Sequence, residues 1–543
     1  MSQEQEKLDI SLTPPEAPDG HVYPTGAKLT LLMISLYIAI FLVALDKLII
    51  STATPSITDE FHASNKIGWY AAAYMLTNCT SLLIFGKIYT FLSVKAIFLA
   101  SVVLFEIGSA VCGAAPNSVA FSIGRAIAGL GAAGVQEGIL VLIVYAVPLA
   151  KRPQYQGLLG AVYGISSTIG PLIGGVFTSN VSWRWCFYVN LPFGGVVLLF
   201  VFFLLHVSGG PSSKDPSVWE HKLAQLNLEG AVTLLPGVGC LCLAFQWGGF
   251  TYSWSNGRII ALLTIAFVLL VAFALIQIWR PQTAAVPPHI FIQRSILAGF
   301  WVSCTVGVHM TLFVYYLPIW FQSVKGNSAV ESGIHLLPMV IAMVVASILS
   351  GIGTTKSGCY TPFLIAGTCI VSVGSGLLTM LKVNTTTGQW IGYQVVYGFG
   401  LGCCFQVPNM AAQTVLPRKE VAIGASLMLF GQTLFGAIFV SVGQNVLDQH
   451  LATLLGRISG ASITPEQIES AGITGLLKII PSQYHDAVLQ AYNSSLRLCF
   501  LVALVSACIS VIGSGGMEWR NIKKEEDKEA RTGESKDPAS EST

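Results

Sequence analysis

The stretch Gly160–Val181, "GAVYGISSTIGPLIGGVFTSNV", is apolar enough to be a helix, yet it carries five glycines and a proline. In a helix interior each glycine costs about 1 kcal/mol and a proline about 3 kcal/mol relative to alanine. Such a concentration of helix breakers is tolerated where the solvent is lipid and neighbouring helices re-satisfy the freed backbone groups. Small residues also let two helix backbones approach closely, a main source of helix association in a bilayer. The stretch therefore reads as a membrane span. Gly160, Gly164, Gly170, Gly174 and Gly175 form its packing surface, and Pro171 removes the backbone hydrogen bond to Ser167 and acts as a hinge.

The rest of the chain supports that reading. Only 10% of the 543 residues are charged, against roughly 25% in soluble domains, and 53% are hydrophobic. Apolar runs of about 20 residues, the length that crosses a bilayer, recur from Leu29 to Gly515. Fourteen spans are predicted, near 29–51, 67–89, 95–115, 118–146, 157–179, 187–207, 227–248, 257–280, 297–322, 332–353, 361–382, 389–415, 421–446 and 494–515. The fold class is thus an all-α integral membrane protein. A net charge of +2 with no dense basic run excludes a nucleic-acid partner. The twelve cysteines lie mostly within apolar runs, without CxxC pairs or metal-ligand spacing, and read as small hydrophobes between helices. No metal and no cofactor are expected, and the chain is read as a monomer in a lipid bilayer.

Lys and Arg in the loops set the orientation. Alternate loops carry Lys87/Lys95, Lys151/Arg152, Lys214/Lys222, Arg280/Arg294, Lys356 and Arg418/Lys419, whereas the intervening short loops carry single charges or none. The richer side is read as cytoplasmic, together with both termini. The N-x-S/T sequons at Asn180, Asn384 and Asn493 then fall outside as candidate glycosylation sites, and Asn78 falls within a helix. Residues 1–28, polar and rich in acids and proline, read as a disordered cytoplasmic tail with no cleavable signal. Residues 516–543 form a second cytoplasmic tail. The outer segment 448–493 is not a span. Its "ITPEQIESAG" reads as a short helix with Thr464 as cap, Pro465 at the first position and Gln467 completing a capping box.

An internal echo organises the spans. The fourth reads "RAIAGLGAAGVQ" (Arg125–Gln136) and the twelfth "QVVYGFGLGCCF" (Gln394–Phe405), with Gly129 matching Gly398 and Gly131 matching Gly400. Matching segments in two halves suggest a duplicated bundle, a habit of secondary transporters. On that reading 29–207 and 281–515 are two six-helix bundles, and 208–280 holds a cytoplasmic loop and two inserted helices.

Ionisable groups inside a membrane are expensive and are retained for a reason. Asp46, Glu106, Arg125 and His309 are the candidates for proton coupling. At 1.5 Å per residue, Asp46 lies about 25 Å along an outward-running span and Arg125 about 10 Å below the outer surface, so the two can meet. Glu106 falls near the midplane. A carboxylate there has two reversible states, set by desolvation and by the neighbouring guanidinium; the alternatives are a static salt bridge or a helix-to-helix hydrogen bond. His309 reads equally as a proton or substrate contact and as a satisfied polar side chain. Lys47, about 100° around the helix from Asp46, is expected to snorkel to the outer surface. Glu137 is expected to reach solvent at the inner end of its span.

With these residues in place, the chain resembles the major facilitator superfamily, in particular the 14-helix drug:proton antiporters and fungal efflux pumps for toxins and secondary metabolites. The first-helix motif stands as "LDKLIISTATP" (Leu45–Pro55), the fourth-helix motif as "GRAIAGLGAAG" (Gly124–Gly134), and the antiporter motif as Gly160 and Gly164 followed by "GPLIGG" and "WRWCFYVNLPFGG" (Trp183–Gly195). Similar stretches continue with "YYLPIWFQSVKGNSAVESGIHLLP" (Tyr315–Pro338) and "EWRNIKK". Two departures stand out: Thr90 where the superfamily usually has aspartate, and Ala128 where many members carry glutamine. The resemblance implies alternating access by two bundles and proton-driven export of a small amphipathic molecule, a toxin, secondary metabolite or drug, at the plasma membrane or a vacuolar or vesicle membrane. It does not imply an enzyme. Candidate substrate contacts are Trp69, Tyr74, Asn78, Tyr315, Tyr316, Gln322, Tyr397 and Gln406, aromatic and amide groups suited to a roomy apolar cavity. The competing reading is a proton-coupled uptake symporter, for example for a siderophore. No nucleophile-and-base constellation or sizeable extramembrane domain supports an enzyme or a receptor.

Overall fold

Long apolar segments punctuated by polar turns leave the backbone no partner in lipid but itself, and helices are the result. The computed structural model describes residues 23–62, 67–205, 227–249, 252–457 and 482–534, and among them no strand occurs. The first half comprises α1 (Gly26–Phe61), α2 (Ile67–Phe91), α3 (Val94–Ala114), α4 (Ser118–Ala146), α5 (Arg152–Asn180) and α6 (Asn190–Leu204). A pair follows, α7 (Leu228–Trp247) and α8 (Gly257–Trp279). Then come α9 (Arg294–Ser323), α10 (Leu337–Ser357), α11 (Thr361–Leu378), α12 (Thr387–Cys404), α13 (Val407–Val415), α14 (Val421–Leu455), α15 (His485–Gly516) and a surface helix, α16 (Ile522–Glu534).

Among the described residues thirteen helices are long and apolar enough to cross a membrane. The predicted segment 389–415 is two helices rather than one span. Pro408, at the start of α13, has no N–H to donate, and its ring crowds the carbonyl of Cys404, so the helix breaks at Phe405 and Gln406. α14 and α15 also run past their predicted bounds of 446 and 494. Gln444 Nε2 donates to both carboxylate oxygens of Asp448 at 3.0 Å within α14, and His450 Nδ1 lies 3.0 Å from Ser495 Oγ, tying α14 to α15. The helix predicted at 463–472 lies outside the described residues, as do 1–22 of the N-terminal tail, 206–226 and 535–543.

Buried apolar side chains fall into two main clusters. One joins α1–α7 to the first half of α14, and the other joins α9–α13 and α15. The glycine echo marks the same packing in each. A β-carbon at Gly129 would overlap the backbone of Tyr74 on α2, and one at Gly131 that of Phe105 on α3. Gly398 stands in the same way against Met339 on α10, and Gly400 against Val371 on α11. Each half thus closes by threading a small-residue helix between two neighbours at backbone contact. Both described ends lie at one end of the bundle, where Glu526 Oε2 accepts from the backbone N–H of Ala150 (3.1 Å) and Arg418 sits over the Tyr23 ring.

Candidate functional site

α1 and α4 bring Asp46 and Arg125 together. Arg125 Nη1 donates to Asp46 Oδ2 at 2.6 Å, with both side chains 1% exposed or less. Arg125 Nε donates to the Tyr70 carbonyl (3.1 Å), and the guanidinium lies 4.4 Å over the Tyr74 ring. A third group completes the site. Asn190 Nδ2 donates to Asp46 Oδ1 (3.4 Å) and to Ser109 Oγ (3.2 Å), bridging α6, α1 and α3. The helix rise located Asp46 and Arg125 at one depth, but sequence reasoning passed over Asn190; an amide inside the otherwise apolar "CFYVNLPFGG" was the available signal. Glu106, one turn before Ser109, is also buried. Neither of its carboxylate oxygens has a hydrogen-bond partner among the described residues, and it packs where any side chain at Gly194 would stand.

Beside this site, a cavity between the halves holds about 90 Å³ of space measured to the centres of water-sized spheres, room for about half a dozen waters. α1, α2, α4 and α5 line it from one side, and α9, α13 and α14 from the other. Its charged and amide lining is Lys47, Gln136, Gln406, Asn409 and Gln432. Lys47 corrects the expectation that it snorkels outward. α1 continues to Phe61, leaving Lys47 about 20 Å short of the helix end, far beyond its own reach. Glu137 is corrected for a different reason. α4 ends at Ala146, where hydropathy places it, but Glu137 lies about 13 Å short of that end and is fully buried within the bundle, and neither carboxylate oxygen finds a hydrogen-bond partner among the described residues.

Of the eight expected substrate contacts, only Gln406 lines this cavity. Tyr74 is the platform under Arg125, and Asn78 Nδ2 donates to the Gly129 carbonyl (3.4 Å). Tyr316 Oη donates to the Val440 carbonyl (2.8 Å). Tyr397 Oη lies 2.8 Å from His309 Nδ1, a fully buried pair joining α12 to α9 away from Asp46. Trp69 and Tyr315 are exposed on the protein's surface, and Gln322 is half-buried outside the cavity. The aromatic wall is instead Tyr163 and Phe405, with ring centroids 5.6 Å apart. Residue type pointed to aromatics and amides, but only packing decides which helix face meets the cavity.

The glycines of α5 divide between two neighbours. Gly160 and Gly164 face Ser347 and Val344 on α10, in the other half. Gly170 and Gly174 instead face Leu48, Ile49 and Thr52 on α1, within their own half, and Gly175 is only loosely packed near Val330. The helix continues through Pro171. At the termini end, Thr90 Oγ1 turns back to the Gly86 carbonyl of its own helix (3.0 Å). The buried Lys87 ammonium donates to the Ala284 carbonyl (2.6 Å), a tie to the segment leading into α9. Asn180 and Asn384 are exposed, but Asn493 is not available to a glycan. It is buried, accepting from Trp320 Nε1 (2.8 Å) and donating to the Leu381 carbonyl (3.3 Å).

At the far end, "WRW" forms a latch. Trp183 Nε1 donates to Glu60 Oε2 (2.6 Å), and Arg184 Nη1 contacts both Glu60 oxygens at 2.7 and 2.9 Å. The Trp183 indole N–H, with Arg184 beside it, outweighs partial burial and holds the Glu60 carboxyl below its ordinary 4.5. A depressed carboxyl pKa contributes stability above the unfolded value and loses it as pH falls through the folded one. Glu60→Gln is therefore expected to lower the unfolding temperature at pH 7, and the difference from the parent should shrink steadily as pH falls below the ordinary carboxyl value of 4.5. Differential scanning fluorimetry across pH 3–8 checks this; a pH-independent difference would assign the latch to packing alone.

The sequence description "Major Facilitator Superfamily" matches residues 36–440. The chain is 48% identical to an "MFS-type transporter" of Claviceps purpurea over 96% of this chain and 90% of that protein. It is 49% identical to the "MFS-type efflux pump MFS1" of Arthroderma benhamiae over 92% and 93%, and 45% identical to the "Efflux pump aflT" of Aspergillus parasiticus over 94% and 99%. In fold it is similar to the human organic anion transporter MFSD10 (TM-score 0.57, 13% identity, 89% of this chain and 100% of that one). It is likewise similar to the proton:xylose symporter XylE (TM-score 0.58, 13% identity, 92% and 99%). Two clusters of helices around a shared cavity, and a family match spanning three quarters of the sequence, lead to one statement: the chain belongs to the major facilitator superfamily and is a membrane transporter, not an enzyme.

Proposed function

We propose that this chain is a proton-coupled efflux antiporter that exports a small amphipathic organic molecule by alternating access of its two halves. The observation that carries this is the buried ion pair between Asp46 on α1 and Arg125 on α4, with Asn190 also donating to Asp46, and with Lys47, the next residue on α1, lining a cavity that both halves share. A buried ion pair is often no more stabilising than apolar residues of the same volume, so its stability alone does not account for it. Protonation of Asp46 cancels its attraction for Arg125 and frees α1 to shift against α4 and α6. Because Lys47 follows Asp46 on α1, such a shift alters the cavity wall. That is the coupling an antiporter needs. The relatives named efflux pumps support the outward direction. On this reading the termini end faces the cytoplasm, the membrane is the plasma membrane, and the transporter works as a monomer. Glu106 is the second proton-handling candidate, and His309, hydrogen-bonded to Tyr397, is assigned to helix packing.

The driving force is sufficient. One pH unit is worth about 1.4 kcal/mol and 100 mV adds about 2.3 kcal/mol per charge, so one proton can sustain roughly a several-hundred-fold gradient of a neutral substrate. The test is accumulation of fluorescein in inside-out vesicles with an acidic lumen, with rhodamine 123 as the cationic comparison. Accumulation that collapses when nigericin dissipates the pH gradient is expected. Accumulation indifferent to the gradient would overturn proton coupling, and gradient-driven uptake into intact cells would reverse the direction.

A further inference from the structure

Lys47 is the only residue with a formal charge among the described residues that line the central cavity. No hydrogen bond or ion pair engages its ammonium among the described residues, and the nearest buried carboxylate, Asp46, is committed to Arg125 and Asn190. An ammonium half-withdrawn from water with no counterion is costly unless something supplies the opposite charge. The opposite wall adds a second vacancy in the hydrogen bonding. Asn409 is 5% exposed; its Nδ2 donates to Gln406 Oε1 (3.4 Å), but its Oδ1 is buried with no donor among the described residues. The same cavity is lined by the paired rings of Tyr163 and Phe405. The cavity therefore offers one cation, one unsatisfied acceptor and an aromatic surface, and no carboxylate to hold a cationic ligand.

We infer that the cargo is an aromatic organic anion carrying a hydroxyl donor. Its carboxylate or phenolate binds Lys47 Nζ, its hydroxyl donates to Asn409 Oδ1, and its ring packs on Tyr163 and Phe405. This deepens the efflux reading and rests on it for direction only; the binding chemistry stands by itself. It also fits the energetics of export. A proton entering while an anion leaves moves two charges down an inside-negative potential, so an anion is easier to expel than a neutral molecule. A cation in the same exchange gains nothing from the potential.

Binding and transport are measured separately on the full chain, with fluorescein on the acid side of its phenol titration (carboxylate, one phenol hydroxyl and xanthene ring) and rhodamine 123 (the same ring system, cationic) as probes. Fluorescence anisotropy with purified protein in nanodiscs is expected to show fluorescein bound and rhodamine 123 not. Lys47→Gln should weaken fluorescein binding by about tenfold to a hundredfold, the loss of one hydrogen bond to a charged group. Lys47→Arg should retain it, which separates loss of charge from misfolding. Asn409→Ala should weaken it by a smaller factor. Absence of fluorescein binding, equal binding by Lys47→Gln, or a preference for rhodamine 123 would each overturn the assignment of an anion. Fluorescein that binds through Lys47 but fails to accumulate in acid-lumen vesicles would instead sink the efflux reading and leave the anion site standing.

Discussion

Asp46→Asn is expected to abolish pH-gradient-driven accumulation in vesicles while leaving gradient-independent counterflow measurable. Asparagine keeps the shape of Asp46 and an oxygen for Arg125 at 2.6 Å, but it cannot take up and release a proton. The substitution also leaves a buried guanidinium without a counterion, and breaking one partner of such a pair costs about 3–5 kcal/mol. Lower thermal stability is therefore part of the expected result and must be separated from lost coupling. The double variant Asp46→Asn/Arg125→Gln removes both charges and should recover most of the stability, because the interaction energy of contacting residues is not additive. It should not recover coupling. Asp46→Glu, which keeps a titrating carboxyl, should retain part of the driven flux. Wild-type accumulation by Asp46→Asn would remove this residue from the proton path and return the Asp46–Arg125 pair to a purely architectural role.

Gly131→Leu and Gly398→Leu are expected to prevent assembly altogether, with no monodisperse protein recovered by size-exclusion chromatography. At both positions a side chain meets backbone, of Phe105 on α3 and of Met339 on α10, and backbone cannot rotate away as a side chain can. The cost should exceed about 3 kcal/mol, the upper end of ordinary overpacking. Gly164→Leu makes an instructive contrast. A β-carbon there finds only side-chain atoms of Val344, Val340 and Met343, the nearest at 3.4 Å. That variant should express and fold, yet transport poorly, because the contact it enlarges lies between the halves rather than within one. Normal flux by Gly164→Leu would show that α5 and α10 do not need to slide closely past one another.

Much of this architecture was legible in the residues. Hydropathy alone calls for a polytopic helical bundle, since lipid leaves the backbone no other way to satisfy its hydrogen bonds. The helix rise placed Asp46 and Arg125 at one level, and the echo between Arg125–Gln136 and Gln394–Phe405 identified the helices that pack at backbone contact. The stretch Gly160–Val181 read correctly as a helix built for close contact. Its glycines read as a single packing surface, however, and they serve two neighbours. Gly160 and Gly164 meet α10, whereas Gly170 and Gly174 meet α1.

The errors share a cause. Composition and spacing report depth along a helix and separation around it, both local properties, so they locate charges and glycines well. They do not report which face of a helix meets a cavity or how far a helix projects beyond the apolar run. Lys47 reads as a snorkelling group because the apolar run of α1 ends near it, yet α1 continues to Phe61; Glu137 lies well inside a span whose bounds hydropathy gives, and it is packing within the bundle that buries it. Tyr74 and Asn190 gained their places only when α2 and α6 brought them against Arg125 and Asp46. The sequence by itself determined a lipid-embedded helical bundle with an internal echo and a buried acid–base pair, because burying backbone and charge in lipid is governed by residue type. The tertiary structure alone decided which side chains line the central cavity, because that depends on helix rotation set by packing between elements far apart in the chain.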